Sequence, residues 1–333
     1  MIKKSFSQKT NTKKPESRIP YAKSYGPAKK AASSTFTPRV PSKGALGTNP
    51  YPHRPSRTKT VTKSVSKVEI MAKTSGVEPE TSWGPVASWY DDHLEKSGNT
   101  YHEKVVYPNV LRILGEPKGT KILDLACGQG QFSYVLAQSG ASVIGVDVGK
   151  ELIEIAEKKN KANKFNLHYF VSPSDDIYMV KDNSQDTVIC ILALQNIEKL
   201  QETINEVSRV LKKGGRFIVV INHPSFRNPK KTHWGYDEKQ DAQYRRVDEY
   251  MSESHIKIDM TPGSYKDKKF TVSFHRPLQV YVKAFLKKSL PITRIEEWVS
   301  HKESEKGPRQ KAENISRKEI PLFMCIEGTK YEA

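Results

Sequence analysis

The chain has 333 residues and a formal net charge of +18, but the charge is not spread evenly. Residues 1–75 hold 17 Lys+Arg against Glu16 and Glu69, which makes +15 and leaves +3 for the rest, so a uniformly basic nucleic-acid binder is excluded. No apolar run reaches the ~18 residues of a membrane span, and Cys127, Cys190 and Cys325 have neither metal-ligand nor disulfide spacing.

Odd, scattered cysteines fit a reducing cytoplasm, and the N-terminus lacks the apolar centre of a secretory signal. Its Lys/Ser/Thr-rich, acid-poor character leaves an organelle transit peptide open. Residues 1–80 are dense in Lys, Ser, Thr and Pro, and offer too little apolar surface to offset ordering, so a disordered basic tail is expected. Phe6, Tyr21, Tyr25, Phe36 and Tyr51 interleave with the basic residues, a mixture that suits non-specific contact with RNA or another polyanion through residues 1–75.

From residue 84 the pattern alternates helix and strand. Helices are expected at Trp89–Leu94 and Tyr101–Leu114, the latter from Val105, Val106, Val110, Leu111 and Leu114. Lys121–Ala126 reads as a buried strand and Phe132–Gln138 as a helix stopped by Gly140. Ser142–Asp147 is a strand, Lys150–Lys161 a helix, Leu167–Val171 a third strand and Thr187–Leu192 a fourth. Ile197, Leu200, Ile204, Val207 and Leu211 mark a helix, with Gly214 and Gly215 expected to cap it. Arg216–Ile221 is a fifth strand. An insertion over residues 223–276 follows, then a helix, a strand holding Glu296-Glu297-Trp298, a polar loop from His301 to Arg317, and a last strand, Ile320–Glu327, at or near a sheet edge. The alternation predicts an α/β fold with a doubly wound, mostly parallel sheet, whose ligands sit at the carboxyl ends of the strands.

The motif richest in chemistry is Asp124-Leu125-Ala126-Cys127-Gly128-Gln129-Gly130-Gln131. An apolar strand ends in a loop whose glycines admit a ligand close to the backbone. A dinucleotide site would need a third glycine where Gln131, Phe132 and Ser133 stand. Asp124 would repel a pyrophosphate but suits an ammonium. Asp147, 17 residues after Gly130, ends the second strand, where a carboxylate can accept from both hydroxyls of a ribose or cap a helix.

Together with Gly145-Val146-Asp147, Asp186-Thr187-Val188 and Arg209–Arg216, this loop resembles the cofactor motifs of class I S-adenosylmethionine-dependent methyltransferases. The resemblance is greatest to the group that includes the ubiquinone- and menaquinone-biosynthesis enzymes, and it runs well over residues 84–222. It implies a Rossmann-like seven-stranded sheet over residues 81–333, with an N-terminal helical lid at 84–118 and a substrate-side insertion at 223–276. It implies S-adenosyl-L-methionine as cofactor. Asp124, Gly128 and Gly130 would hold the methionine end, lined by Ala126 and Cys127. Asp147 would hold the ribose and Val148 would pack on the adenine. Pro173 stands where an adenine-binding Asp is usual, so that contact falls to Ser174 or Asp175. Ala193, Gln195 and Asn196 would face cofactor and acceptor, and Tyr90, Tyr101 and His102 would close over them.

Methyl transfer needs an acceptor held in line with the cofactor's electrophilic methyl, with water excluded. His223, His275 and Arg276 are the expected catalytic residues, each with a packing or loop role as the alternative. Trp234, Tyr236 and Tyr244 either wall an acceptor or form the insertion's own small core. Arg245, Arg246 and Arg276 either bind an anionic acceptor or make surface pairs with Asp241 and Asp248. The expected activity is methyl transfer to a small molecule. The alternatives are an RNA- or protein-directed enzyme served by the tail, a non-catalytic cofactor-binding module, and a nucleotide-dependent dehydrogenase.

Overall fold

The apolar runs form five parallel strands: β1 Lys121–Leu125, β2 Ser142–Asp147, β3 Leu167–Val171, β4 Gln185–Ile191 and β5 Leu211–Asn222. Four further strands make two antiparallel hairpins, β6 Thr232–Asp237 with β7 Ala242–Val247 and β8 Ser254–Asp259 with β9 Phe270–His275. Two more, β10 Ile292–Trp298 and β11 Phe323–Thr329, complete the main sheet. The helices are α1 Tyr107–Leu114, α2 Gln131–Gln138, α3 Lys150–Asn160, α4 Leu200–Val210, α5 Leu278–Leu286 and α6 Gln310–Glu319. The computed structural model describes residue 83 and residues 99–161, 165–261 and 268–331. The expected tail, the expected helix Trp89–Leu94 and Tyr90 lie outside the described residues.

The main sheet has the order β10-β11-β5-β4-β1-β2-β3, with β11 antiparallel to both neighbours. This is the seven-stranded, mostly parallel sheet that the sequence implies. Its central strands are covered on both faces, which is why they read as continuous apolar runs. Alternate residues serve opposite cores. Leu123, Val188 and Val219 face one core with Ile204 and Val207 of α4 and Phe285 of α5. Ile122, Ile189, Ile218 and Val220 face the other with Val110 and Ile113 of α1 and Leu136 of α2. In α4 the stripe Leu200, Thr203, Ile204, Val207 and Val210 is buried at helical spacing.

Several motifs prove to be staples that hold the sheet's frame. The Asp186 carboxylate accepts from the Lys121 backbone N–H at 2.8 Å and from Lys212 Nζ at 2.5 Å, tying β4 to β1 and β5. Arg209 donates to the carbonyls of Ile177 and Val180, at 3.1 and 2.8 Å, and pairs with Asp182 and Glu206. Arg216 donates to the carbonyls of Ile113 and Leu114 at 3.0 and 2.9 Å, closing the end of α1.

Three expectations need correction. Helix α4 ends at Val210, before the glycine pair, because Leu211 turns extended and pairs with Gln185. Gly214, at φ +73°, instead bends β5, where its N–H donates to the Lys330 carbonyl. The helix expected over Tyr101–Leu114 opens as a π-helical turn, His102–Val106, before α1. The polar loop His301–Arg317 contains most of α6, whose small buried residues Ala312 and Ser316 let it lie against β7, with Ser316 Oγ donating to the Gln243 carbonyl at 2.8 Å. The last strand, β11, lies near the sheet edge as expected, one strand in from β10.

Candidate functional site

A cavity of about 300 Å³ opens at the carboxyl ends of β1, β2 and β4. Two of these strands leave the sheet through residues in the left-handed region, Ala126 at φ +56° and Leu192 at φ +53°. Non-glycine residues hold that conformation at a cost, and such strain concentrates at binding sites. Both residues line the cavity. So do Asp124, Cys127 and Gly128 of the first loop, Asp147 and Val148 of the second, and Ser174 and Asp175 beyond β3. Ala193 and Asn196 close the β4 side, and His102 reaches the wall from the π-helical turn.

Two carboxylates 23 positions apart in sequence thus meet at one cavity. Asp124 accepts from the fully buried Ser133 hydroxyl at 2.5 Å, and burial pushes its carboxyl up to about 7. Asp147 accepts from the Gly128 N–H at 2.9 Å and the Gly149 N–H at 2.8 Å, one on each oxygen. Burial also raises Asp147, and those backbone N–H groups restrain the shift. Each Asp147 oxygen keeps a lone pair for a further donor. Among the described residues no Lys or Arg pairs with either carboxylate. A buried carboxylate without a cation is costly, so the cavity favours a ligand that brings a positive charge and hydroxyl donors.

Much of the remaining wall is apolar or already engaged. Val148 is 42% exposed and faces the cavity, free to pack on a flat ring. Tyr107 stacks on Phe132 with ring centroids 4.6 Å apart and donates to Gln131 Oε1 at 3.1 Å. The Ser174 hydroxyl bonds Thr203 Oγ1 at 2.9 Å, and Asp175 pairs with Lys199 at 2.7 Å. Cys127 is not a thiolate nucleophile: burial pushes its thiol well up, and Asp124 and Asp147 push the same way.

Other expected residues are turned elsewhere. Gly130, at φ +72°, packs under Tyr169, whose hydroxyl donates to the Gly130 carbonyl at 3.2 Å. A Cβ there would come within 2.3 Å of that hydroxyl. Gln195 is buried behind the wall, donating to the Leu192 carbonyl at 2.7 Å. His223 Nδ1 accepts from the Ser225 and Phe226 N–H groups, so Nε2 carries the proton it donates to Glu297 at 2.6 Å. Burial lowers the His223 pKa. His275 bonds the Tyr250 carbonyl at 2.8 Å. Arg276 donates to the carbonyls of Ile197 and Glu198 at 2.9 and 2.7 Å, bracing the β4 loop from behind. None of these three lines the cavity.

The expected acceptor residues divide. Asn196 lines the first cavity, whereas Trp234 and Arg245 line a second, together with Tyr101. Tyr236 bonds Asp241 and lies under Arg309, with the guanidinium carbon 4.2 Å from its ring centroid. Tyr244 is 51% exposed and covers Gly235. Arg246 pairs with Asp248 at 2.9 Å, its surface alternative. Sequence reasoning missed Tyr107, Phe132, Leu192 and Lys199 on the first wall. Tyr107 and Phe132 flank the glycine loop in helices that read as ordinary core.

Residues 116–263 match the sequence model of the family described as "Methyltransferase domain". That stretch is similar to methyltransferase domains. Similar relatives include a demethylmenaquinone methyltransferase of Tropheryma whipplei, 30% identical over 115 residues, which are 34% of this chain and 46% of that one. A ubiquinone biosynthesis O-methyltransferase of Pelagibacter ubique is 32% identical over 123 residues, 36% of this chain and 50% of that one. The chain thus spans about half the length of these curated relatives. A solved structure from Listeria monocytogenes, assigned to the S-adenosylmethionine-dependent methyltransferases, superposes with a TM-score of 0.54. It is 25% identical and covers 68% of this chain and 98% of that chain.

Proposed function

We propose that the chain transfers the methyl group of S-adenosyl-L-methionine to a small-molecule acceptor. The observation that carries this reading is the pair of buried carboxylates, Asp124 and Asp147, on one cavity, with no Lys or Arg partner among the described residues. They fit the ammonium and the ribose hydroxyls of that cofactor, and they oppose a pyrophosphate. Bound there, the cofactor would supply an electrophilic methyl on a sulfonium.

The protein's own part is to bind, orient and exclude water. Asp124 holds the positive end, and Asp147 holds the hydroxyls while it clamps Gly128 and Gly149. Val148 covers the adenine side, with Pro173 and Ser174 beside it. Ala193 and Asn196 face the reacting end, and Arg276 positions the loop that carries them. Where the acceptor must lose a proton, His102 is the imidazole that lines this cavity, which neither His223 nor His275 does. The three cysteines are free, and no helix among the described residues is long and apolar enough to cross a membrane. Free thiols support a cytoplasmic location within this same proposal, with residues 1–75 making sequence-independent contact with polyanions through their +15 charge.

The test is titration calorimetry on the full chain with S-adenosylmethionine, S-adenosylhomocysteine and NADH in separate runs. Saturable binding of the first two without NADH is expected. Binding of NADH alone, or of none by a chain with native circular dichroism, would overturn the reading.

A further inference from the structure

A second cavity, of about 260 Å³, lies at the same carboxyl end of the sheet. It adjoins the cofactor cavity along the chain in two places. Tyr101 lines the second cavity and His102 the first. Arg227 follows the end of β5, next to β4, whose loop walls the first cavity.

Three guanidinium groups converge on this space: Arg227, Arg245 and Arg317. Among the described residues none of them has a carboxylate partner. Arg245 donates to the Phe226 carbonyl at 2.9 Å and to Thr232 Oγ1 at 2.7 Å, and lies 4.8 Å from the Trp234 ring centroid. Arg317 donates through Nε to Ser304 Oγ at 2.9 Å. Arg227 lies 5.2 Å from the Phe323 ring centroid, and burial and the neighbouring Arg245 both lower its pKa. The Tyr101 and Ser300 hydroxyls, 3.2 Å apart, add donors on the same wall.

Gathering three cations in a partly desolvated space without an acid is unfavourable on its own. The folded chain holds them there through carbonyls, hydroxyls and ring faces, which fix their positions without neutralising them. Planar forks in this arrangement match the geometry of a carboxylate or a phosphate.

We propose that this cavity is an oxyanion subsite, and that the methyl acceptor is an acid whose carboxylate or phosphate ester is bound by Arg227, Arg245 and Arg317. The proposal rests on the methyl-transfer reading for what occupies the first cavity. It concerns the acceptor's chemical class. The acid group docks under β6 and β7, and the rest of the molecule extends past Tyr101 toward Asn196.

The experiment uses matched probes on the full chain with S-adenosylhomocysteine present: benzoate against benzamide, and phenyl phosphate against phenol. One acid of the two pairs should bind roughly tenfold or more tightly than its neutral partner, and which acid does so separates carboxylate from phosphate. Arg227→Met and Arg245→Met should each lose that preference, Arg227→Lys should keep part of it, and S-adenosylhomocysteine should bind all three as it binds the parent. Equal affinity for acid and neutral partner in the parent chain would overturn the subsite without recourse to any variant, as would unchanged acid binding in both Met variants. Failure of S-adenosylhomocysteine to bind, while the arginine-dependent acid preference persists, would remove the methyl-transfer reading and leave the oxyanion site standing.

Discussion

Burial holds the Asp124 carboxyl up at about 7, far above the ~3.9 of an unfolded Asp. The folded chain therefore keeps a proton that the unfolded chain has released, and Asp124 lowers stability progressively between about pH 4 and pH 7, with the full penalty present above that. Among the described residues the groups facing it are Ser133, Asp147, Cys127, Tyr169 and Cys190, and none is a cation. Asp124→Asn keeps an acceptor for the Ser133 hydroxyl and removes the charge. Thermal unfolding at pH 8 should show the ligand-free variant more stable than the parent by on the order of 2 kcal/mol, with the gain vanishing below pH 4. The same variant should lose S-adenosylmethionine binding. In the parent, cofactor affinity should rise as pH increases from 5.5 to 7.5, because the ammonium needs the ionised carboxylate. A variant no more stable than the parent at pH 8 would mean that the carboxylate is solvated in the folded state. Asp124 and Asp147 were legible because strand ends fix where their side chains point. His223 and His275 were not, because their roles depend on partners distant in sequence: Glu297 for the first and Tyr250 for the second.

At the scale of elements, α4 shows what holds the site in place. Its buried stripe faces Leu123, Val188 and Val219, and its last turn carries Arg209, which ties down the segment between β3 and β4. Ile204 is fully buried at the centre of that stripe. Ile204→Ala should cost about 2–5 kcal/mol in denaturant unfolding, while cofactor affinity in the surviving folded protein stays near the parent's, since Ile204 does not line the cavity. A loss under ~1 kcal/mol would show that α4 repacks freely. The central strands and α4 could be read from sequence because their apolar periodicity is set by burial on known faces. Helix α6 could not, because Ala312 and Ser316 are small and the remaining residues are polar, leaving no apolar stripe. The arginine cavity was half legible: Trp234 and Arg245 are cross-strand partners in one hairpin, but Arg227 and Arg317 arrive from the end of β5 and from α6.

For the whole molecule, charge is partitioned along the chain: +15 in residues 1–75 and +3 in the remainder, with the binding chemistry in the latter. Three arginines with no carboxylate partner among the described residues line one small cavity, a geometry that suits one acid group rather than a polyanion's length. The contact with polyanions, if it belongs to residues 1–75, must then be electrostatic and sequence-independent. Single-stranded RNA binding by the full chain should weaken by on the order of 10² to 10³ between 50 and 200 mM salt for half a dozen phosphate contacts. It should be nearly abolished by deletion of residues 1–75, while S-adenosylmethionine titrates the shortened chain as before. The reverse outcome is equally informative: RNA binding that survives the deletion and falls in Arg227→Met would place the polyanion contact at the arginine cavity. The acceptor would then be sought among phosphate-bearing polymers, and the small-acid subsite argued from the same three arginines would have to be given up.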